Sequence, residues 1–371
     1  MRIGCIGGGQ LGRMLSLAGQ PLGHTFVVLE PVGDACAASV ADVIAAPYDD
    51  EDALRRLASV VDVVTCEFES VPERALLRTA DLGAPVRPGP EAFRTASDRL
   101  LEKTMFNELG IPTAPFRRVD DHASLEVAVR ELGLPCVLKT RRLGYDGKGQ
   151  RVLRSEDDVR GAFEALGSVP MILEGWVPFR RELSIVAARG LRGDMAFYPL
   201  VENIHRDGIL CRTTAPAPNV APELTARAES YAAKVMQALD YVGVLAIELF
   251  DADVLRVNEM APRVHNSGHF SIDGAVTSQF ENHVRAIAGS PLGPTELRGT
   301  SVMFNLVGGI PDPDAVLAIP GAHLHLYGKD PKPGRKVGHL TVVDEGIDDF
   351  DGRIARAEAL SAAAWRGANG G

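Results

Sequence analysis

The chain has 371 residues, 46% of them hydrophobic and 24% charged, which is enough apolar material for two or three cores and excludes a disordered or fibrous protein. Its 49 acidic residues outnumber 39 basic ones, and the net charge of −10 repels a nucleic-acid backbone at long range, so DNA and RNA are not expected partners. Cys5, Cys36, Cys66, Cys136 and Cys211 show no metal-ligand or redox-motif spacing, and no stretch approaches the ~18 apolar residues of a membrane span, so reduced thiols, a cytoplasmic location and neither secretory leader nor membrane association are expected.

Arg2–Ile6 reads as a short strand, Gln10–Gly19 as a helix opened by glycines, and Thr25–Leu29 and Val61–Thr65 as further strands, the start of an open α/β sheet. Glu91–Leu109 carries one run of helical spacing, stopped by Gly110-Ile111-Pro112. Strands follow at Pro135–Thr140, Met171–Trp176, Leu183–Ala188, Met195–Val201 and Val244–Asp251, with an Ala-rich helix at Leu224–Leu239. This part is expected to form a mainly antiparallel sheet. Beyond Ser290-Pro291-Leu292-Gly293-Pro294 a smaller unit has strands near Ser301–Leu306, His323–Tyr327 and Gly338–Val343 and a helix over Gly352–Trp365, after which Gly367–Gly371 should fray. The expected domains are 1–97, 98–292 with a lid subdomain near 112–178, and 293–371.

Gly7-Gly8-Gly9-Gln10-Leu11-Gly12 satisfies G-x-G-x-x-G between a strand and a helix, and Glu30 ends the next strand where a ribose-binding acid would sit. By spelling this is a dinucleotide site. Glycines at a helix start suit any phosphate, however, or simply close strand–helix packing. An oxidoreductase reading also leaves the clusters described next without a role, so a phosphate-bearing substrate is preferred to NAD.

Three separated clusters read as one nucleotide site: Lys139 to Gln150, Glu174-Gly175-Trp176-Val177, and Asn258 to Arg263. A lysine ending a strand, a basic glycine loop and late carboxylates can hold a triphosphate, cover it and bind magnesium. Their separation excludes a local P-loop. Glu248 lies within the apolar run Val244–Phe250, and Glu259 follows Asn258 at the end of the next strand. A buried carboxylate needs a partner, either a structural Arg or Lys or, as favoured here, magnesium shared with phosphates. Arg263, His265, Asn266 and His269 follow directly, so they should face the space beyond the γ-phosphate, where an acceptor must sit.

With Gly7–Met14, Cys66-Glu67-Phe68-Glu69 before Val71-Pro72, Tyr145–Gln150, Asn258–His269 and Pro333–His339, the chain resembles the ATP-grasp ligases and, over nearly its full length, the 5-(carboxyamino)imidazole ribonucleotide synthase family. The resemblance implies α/β and α+β architecture: an ATP-grasp fold with an N-terminal Rossmann-like (pre-ATP-grasp) domain and a small C-terminal domain. It implies ATP and Mg2+ as cofactors, aminoimidazole ribonucleotide and bicarbonate as substrates, and a homodimer. Arg99 and Lys139 would contact the ATP phosphates, with Gly144, Tyr145, Asp146, Gly147, Lys148, Gly149 and Gln150 as the lid; Leu143 stands where many such loops place another glycine. Glu174, Gly175, Trp176 and Val177 would read adenine through backbone groups, Glu182 would take the ribose and His205 would approach the nucleotide. Asn258 and Glu259 would complete the ATP site, with Glu248 and Glu259 holding the metal. Arg263, His265 and Asn266, with Tyr145 and Asp146, would receive bicarbonate and the ribonucleotide. Lys329, Arg335 and Lys336, with the Gln10 and Leu11 backbone, would hold its 5′-phosphate, and Glu67 or Glu69 its ribose. Asp146 and His265 are the candidates for moving a proton, and His323, His325 and His339 are expected to be structural.

Overall fold

The computed structural model describes residues 1–33, 35–144 and 147–366, so the expected fraying of Gly367–Gly371 lies outside the described residues. β1 (Arg2–Ile6), β2 (Thr25–Glu30), β3 (Asp42–Ala45) and β4 (Val63–Cys66) form a parallel sheet in the order β3-β2-β1-β4. The near-continuous apolar runs of β1, β2 and β4 are what a sheet buried on both faces requires. The helix Gln10–Gly19 starts directly after β1, which places the glycine loop at the carboxyl end of the sheet.

The helical run expected over Glu91–Leu109 is two helices, Pro90–Ala96 and Arg99–Glu108. Asp98 separates them. Its backbone is extended, its carboxylate accepts the Leu100 N–H at 3.1 Å as an N-cap, and the same carboxylate binds Arg141 at 2.7 Å. Capping and ion pairing therefore override a periodicity that is continuous through the break.

β5 (Phe116–Val119), β6 (Cys136–Thr140), β7 (Gln150–Leu153) and β8 (Met171–Gly175) make a four-stranded antiparallel sheet in the order β5-β8-β6-β7, packed through Leu138, Leu153 and Leu173 on Leu125, Val129 and Phe163. β6 and β7 are joined by the lysine-glycine loop.

The largest sheet contains β9 (Arg181–Arg189), β10 (Met195–Phe197), β11 (Val201–Arg206), β12 (Ile209–Ala215), β13 (Gly243–Asp251), β14 (Leu255–Ala261), β15 (Ser301–Val307), β16 (Ala322–Leu326) and β17 (Lys336–Val343). Its order is β14-β13-β9-β11-β12-β15-β17-β16, with β10 beside β9. The strand expected over Met195–Val201 is divided between β10 and β11, because Tyr198 turns inward to donate to the Thr277 carbonyl at 2.9 Å. β12 pairs with β15, so the last unit continues the central sheet. The helix Pro222–Ala238 covers one face through Ala228, Ala232, Val235 and Met236, and the helix Gln279–Ala288 packs toward the N-terminal unit. Among the described residues no helix is long and apolar enough to cross a membrane.

Candidate active site

The carboxyl end of the parallel sheet, the β5-β8-β6-β7 sheet and the edge β13–β14 of the central sheet enclose one cleft of about 850 Å³. Arg99, Lys139, Gly144, Gly147, Gln150, Trp176, Glu182, His205, Glu248, Asn258 and Glu259 line it. So do Gln10, Leu11, Glu67, Glu69, Arg263, His265, Asn266, His269 and Lys336. Lys139, on one sheet, thus shares an open space with Glu248 and Glu259, on another. Lys148, Gly149, Glu174, Gly175, Val177, Lys329 and Arg335 are not among the lining residues, and Tyr145 and Asp146 lie outside the described residues.

Lys139 sits at the loop end of β6, almost fully buried, and its ammonium donates to Glu174 Oε2 at 3.0 Å. Burial pulls its pKa below the ordinary lysine value, against the opposing pull of Glu174. Glu174 therefore contributes its side chain to the lysine, and the Gly175 N–H is occupied by the Pro115 carbonyl at 2.8 Å. The second cation on Glu174 is Lys103, which sequence reasoning passed over: it has no exposed surface, lies 3.3 Å from Glu174 Oε1 and donates to the Asn258 carbonyl at 3.0 Å. Burial alone would raise the Glu174 carboxyl, but Lys103 and Lys139 hold it below the usual range.

One helix face grips the segment that carries Glu259. Arg99 Nη1 meets Glu259 Oε2 at 2.5 Å, Lys103 takes the Asn258 carbonyl, and Glu102 accepts the Met260 N–H at 2.6 Å. These residues stand at i, i+3 and i+4, the spacing that puts side chains on one side of a helix. Burial pushes the Glu102 carboxyl up to about 8, reinforced by the neighbouring Glu259 charge. Enclosure would raise Glu259 as well, but Arg99 lowers it to about 2. Glu259 faces Glu248 directly in the β13–β14 register, and the register then skips Asn258, a bulge on β14. Glu248 Oε1 is 3.2 Å from His265 Nε2, while His265 Nδ1 lies 2.9 Å from Ser267 Oγ.

Asn258 Oδ1 and both side-chain polar atoms of Asn266, in the cleft, are buried with no hydrogen-bond partner among the described residues. Such atoms are costly unless something else pairs with them. Glu248, Glu259 and Asn258 Oδ1 are hard oxygen donors of the kind that would hold magnesium shared with phosphates. Among the described residues no group of three or more His, Cys, Asp and Glu is placed to hold a metal ion.

The cleft wall formed by Val137, Val152, Trp176, Leu210 and Phe250 is apolar and suits a purine ring, and Phe179 stacks on Phe250 at 4.6 Å. Glu182 and His205 face each other as an ion pair on β9 and β11, and that pairing raises the His205 pKa against the effect of burial. The loop between β6 and β7 is shaped by Gly149, whose φ of +71° and approach to Thr140 Oγ1 leave no room for a Cβ. Leu143 adopts φ +63° in the same loop, a left-handed geometry better suited to glycine.

The glycine loop is partly filled by the protein's own acids. Glu30 accepts the Gly8 N–H at 2.8 Å, and Glu67 accepts those of Gly9 and Gly12, the latter at 2.8 Å. A Cβ on Gly9 would fall 2.5 Å from Glu67 Oε1, so the residue is glycine to admit that carboxylate. A dinucleotide pyrophosphate would meet two carboxylates there. Gln10 and Leu11, the first two residues of the helix, line the cleft instead, and Gln10 Oε1 accepts from Lys329. Arg263 is held by Glu69 at 2.6 Å, and burial of Glu69 is outweighed by Arg263, which keeps that carboxyl ionised. Behind this wall His269 and Tyr327 line the cleft, and Tyr327 OH lies 2.7 Å from His339 Nδ1. His339 stacks on His325, which meets Asp273 at 2.9 Å.

Residues 1–97 match the ribonucleotide synthetase pre-ATP-grasp domain, residues 104–280 the ATP-grasp domain, and residues 301–353 the phosphoribosylaminoimidazole carboxylase C-terminal domain. The chain is 54% identical, over 97% of its length and 99% of the relative's, to N5-carboxyaminoimidazole ribonucleotide synthase of Pseudomonas aeruginosa. It is 41% identical to the Bacillus subtilis protein of that name, over 94% of this chain and 93% of the other. The crystal structure of the Thermus thermophilus synthetase matches with a TM-score of 0.92 at 51% identity, covering 96% of this chain and 98% of that one. The Aspergillus clavatus synthase, solved with ADP and 5-aminoimidazole ribonucleotide, matches with a TM-score of 0.89 at 33% identity, covering 98% of each chain. The architecture is therefore the ATP-grasp fold with an N-terminal pre-ATP-grasp domain and a small C-terminal domain, and the chain belongs to the N5-carboxyaminoimidazole ribonucleotide synthase family.

Proposed function

We propose that this enzyme uses ATP to carboxylate 5-aminoimidazole ribonucleotide with bicarbonate, giving 5-(carboxyamino)imidazole ribonucleotide, ADP and phosphate in purine biosynthesis. The observation that carries this reading is the convergence of Arg99, Lys139, Glu248 and Glu259 on one cleft that Arg263, His265 and Asn266 also line. It is supported by membership of the family and by the ADP and ribonucleotide that the Aspergillus relative binds.

In this reading a bicarbonate oxygen attacks the γ-phosphorus, the bond to the β-phosphate bridging oxygen breaks, and ADP leaves, forming carboxyphosphate. The exocyclic amine of the ribonucleotide captures the carboxyl carbon, either directly or as released CO2. Phosphate departs and the nitrogen loses a proton. Lys139 and Arg99 place positive charge beside the transferring phosphoryl group, and catalysis is mostly positioning and charge neutralisation. Magnesium supplies further charge neutralisation when bound, and Glu248, Glu259 and Asn258 would hold it. Gln10 and Leu11 sit at the helix start, whose positive dipole end suits the substrate's 5′-phosphate, with Lys336 nearby on the cleft wall. Lys329, bound to Gln10, fixes that edge. Tyr145 and Asp146 belong to the lid by resemblance, and Asp146 or His265 would take the proton. A cytoplasmic homodimer rests on the resemblance alone.

ADP release from the purified protein tests the reading, with bicarbonate and aminoimidazole ribonucleotide omitted in turn. Release that requires the ribonucleotide and gives carboxylated product is expected; release unaffected by either omission, or by a different carboxylate–amine pair only, overturns it.

A further inference from the structure

Two buried ammonium groups share a single buried carboxylate at the edge of the cleft. Lys103 Nζ is 3.3 Å from Glu174 Oε1, and Lys139 Nζ is 3.0 Å from Oε2. Only Lys139 of the three lines the cleft. Glu174 can neutralise one positive charge, so the trio carries an excess of one. Burying an uncompensated ammonium is expensive, and a lysine with no exposed surface is rare without full pairing. Lys103 otherwise donates to the Asn258 carbonyl, a neutral acceptor, and interacts with the buried Glu102, whose own carboxyl burial pushes up. Arg99 and Glu259 already pair with each other nearby. The excess charge is balanced when an anion enters beside Lys139.

We propose that Lys103 is a positioning residue for nucleotide binding: its ammonium, 3.3 Å from Glu174 Oε1, shares the charge of that carboxylate, so that Lys139 is not closed into a self-neutralised pair and stays available to the triphosphate. The proposal deepens, and rests on, the ATP-dependent reading above. Lys103 need not touch the ligand; it acts through Glu174.

The test is calorimetric titration of ATP with magnesium into the wild-type enzyme, Lys103→Met and the double variant Lys103→Met/Glu174→Gln, each shown to be folded by its melting curve. Lys103→Met should bind ATP at least tenfold more weakly, because Glu174 then belongs to Lys139 alone. The double variant restores the net charge of the trio and should bind within threefold of wild type. A purely structural lysine would not be rescued by losing its partner as well. Lys103→Met binding as tightly as wild type, or the double variant no tighter than the single, overturns the proposal. If Lys103→Met fails to fold, the double variant decides: near-normal ATP binding supports the proposal, and more than tenfold weakening overturns it. Wild-type protein that binds no ATP would instead overturn the underlying functional reading, and this inference with it.

Discussion

Glu248 and Glu259 stand directly opposite one another in the antiparallel pairing of β13 and β14. Two like charges in that register repel, and Arg99 on Glu259 and His265 on Glu248 relieve the repulsion. Glu248→Gln removes one of the opposed charges and one metal-binding oxygen together. Its ligand-free melting temperature should not fall, whereas magnesium-dependent turnover should drop about a hundredfold, as should that of Glu259→Gln. A magnesium titration of ADP release checks both, and normal turnover in either folded variant contradicts the metal assignment.

Lys139→Ala deletes the cation that faces the cleft while leaving Glu174 paired to Lys103. The fold should persist and turnover should fall by about a hundredfold or more, the cost of a lost preorganised charge contact. Steady-state ADP release, with circular dichroism to establish folding, is the measurement.

Because Glu30 and Glu67 already occupy the amides of Gly8, Gly9 and Gly12, NADH should not raise the melting temperature, whereas ATP with magnesium should. Stabilisation by NADH alone would reinstate the dinucleotide reading of the glycine motif.

How much was legible in the sequence depended on whether a residue's partner was local. β1 and the helix Gln10–Gly19 follow from apolar patterning and the glycines between them, and the structure gives both with the expected limits. β3, β5 and β7 are only four residues long, too short to stand out, and Arg117 and Arg118 occupy the middle of β5. The acids that fill the glycine loop could not be read from the motif, since Glu67 reaches it from a distant strand end. Glu102 and Lys103 looked like an ordinary charged helix surface, yet they are 1% and 0% exposed. Their one signal was spacing: they share a face with the fully buried Phe106, Glu102 four residues and Lys103 three residues before it. The tie between Glu174 and Lys139 was hidden because β6 and β8 become neighbours only in the folded sheet.

His283 links the N-terminal unit to the central sheet, with Nε2 2.8 Å from Thr65 Oγ1 and Nδ1 accepting the Val244 N–H at 3.1 Å. Burial lowers its pKa to about 4, below the roughly 6.5 expected when unfolded. The neutral folded form therefore contributes its full stability above pH ~6.5, and that contribution is lost as pH falls toward about 4. Between pH 7 and 5 the loss from this residue should be roughly 2 kcal/mol. His283→Gln can keep both hydrogen bonds without titrating, so urea unfolding at the two pH values should show a shallower pH dependence in the variant. An identical pH dependence in both proteins would contradict the assignment.

The most direct test of the carboxylation chemistry follows the bicarbonate oxygens. With 18O-labelled bicarbonate, aminoimidazole ribonucleotide and ATP, a single turnover quenched before label exchanges with water should place one 18O atom in the phosphate released. Phosphate free of label while ADP and carboxylated product accumulate would contradict attack of bicarbonate on the γ-phosphate.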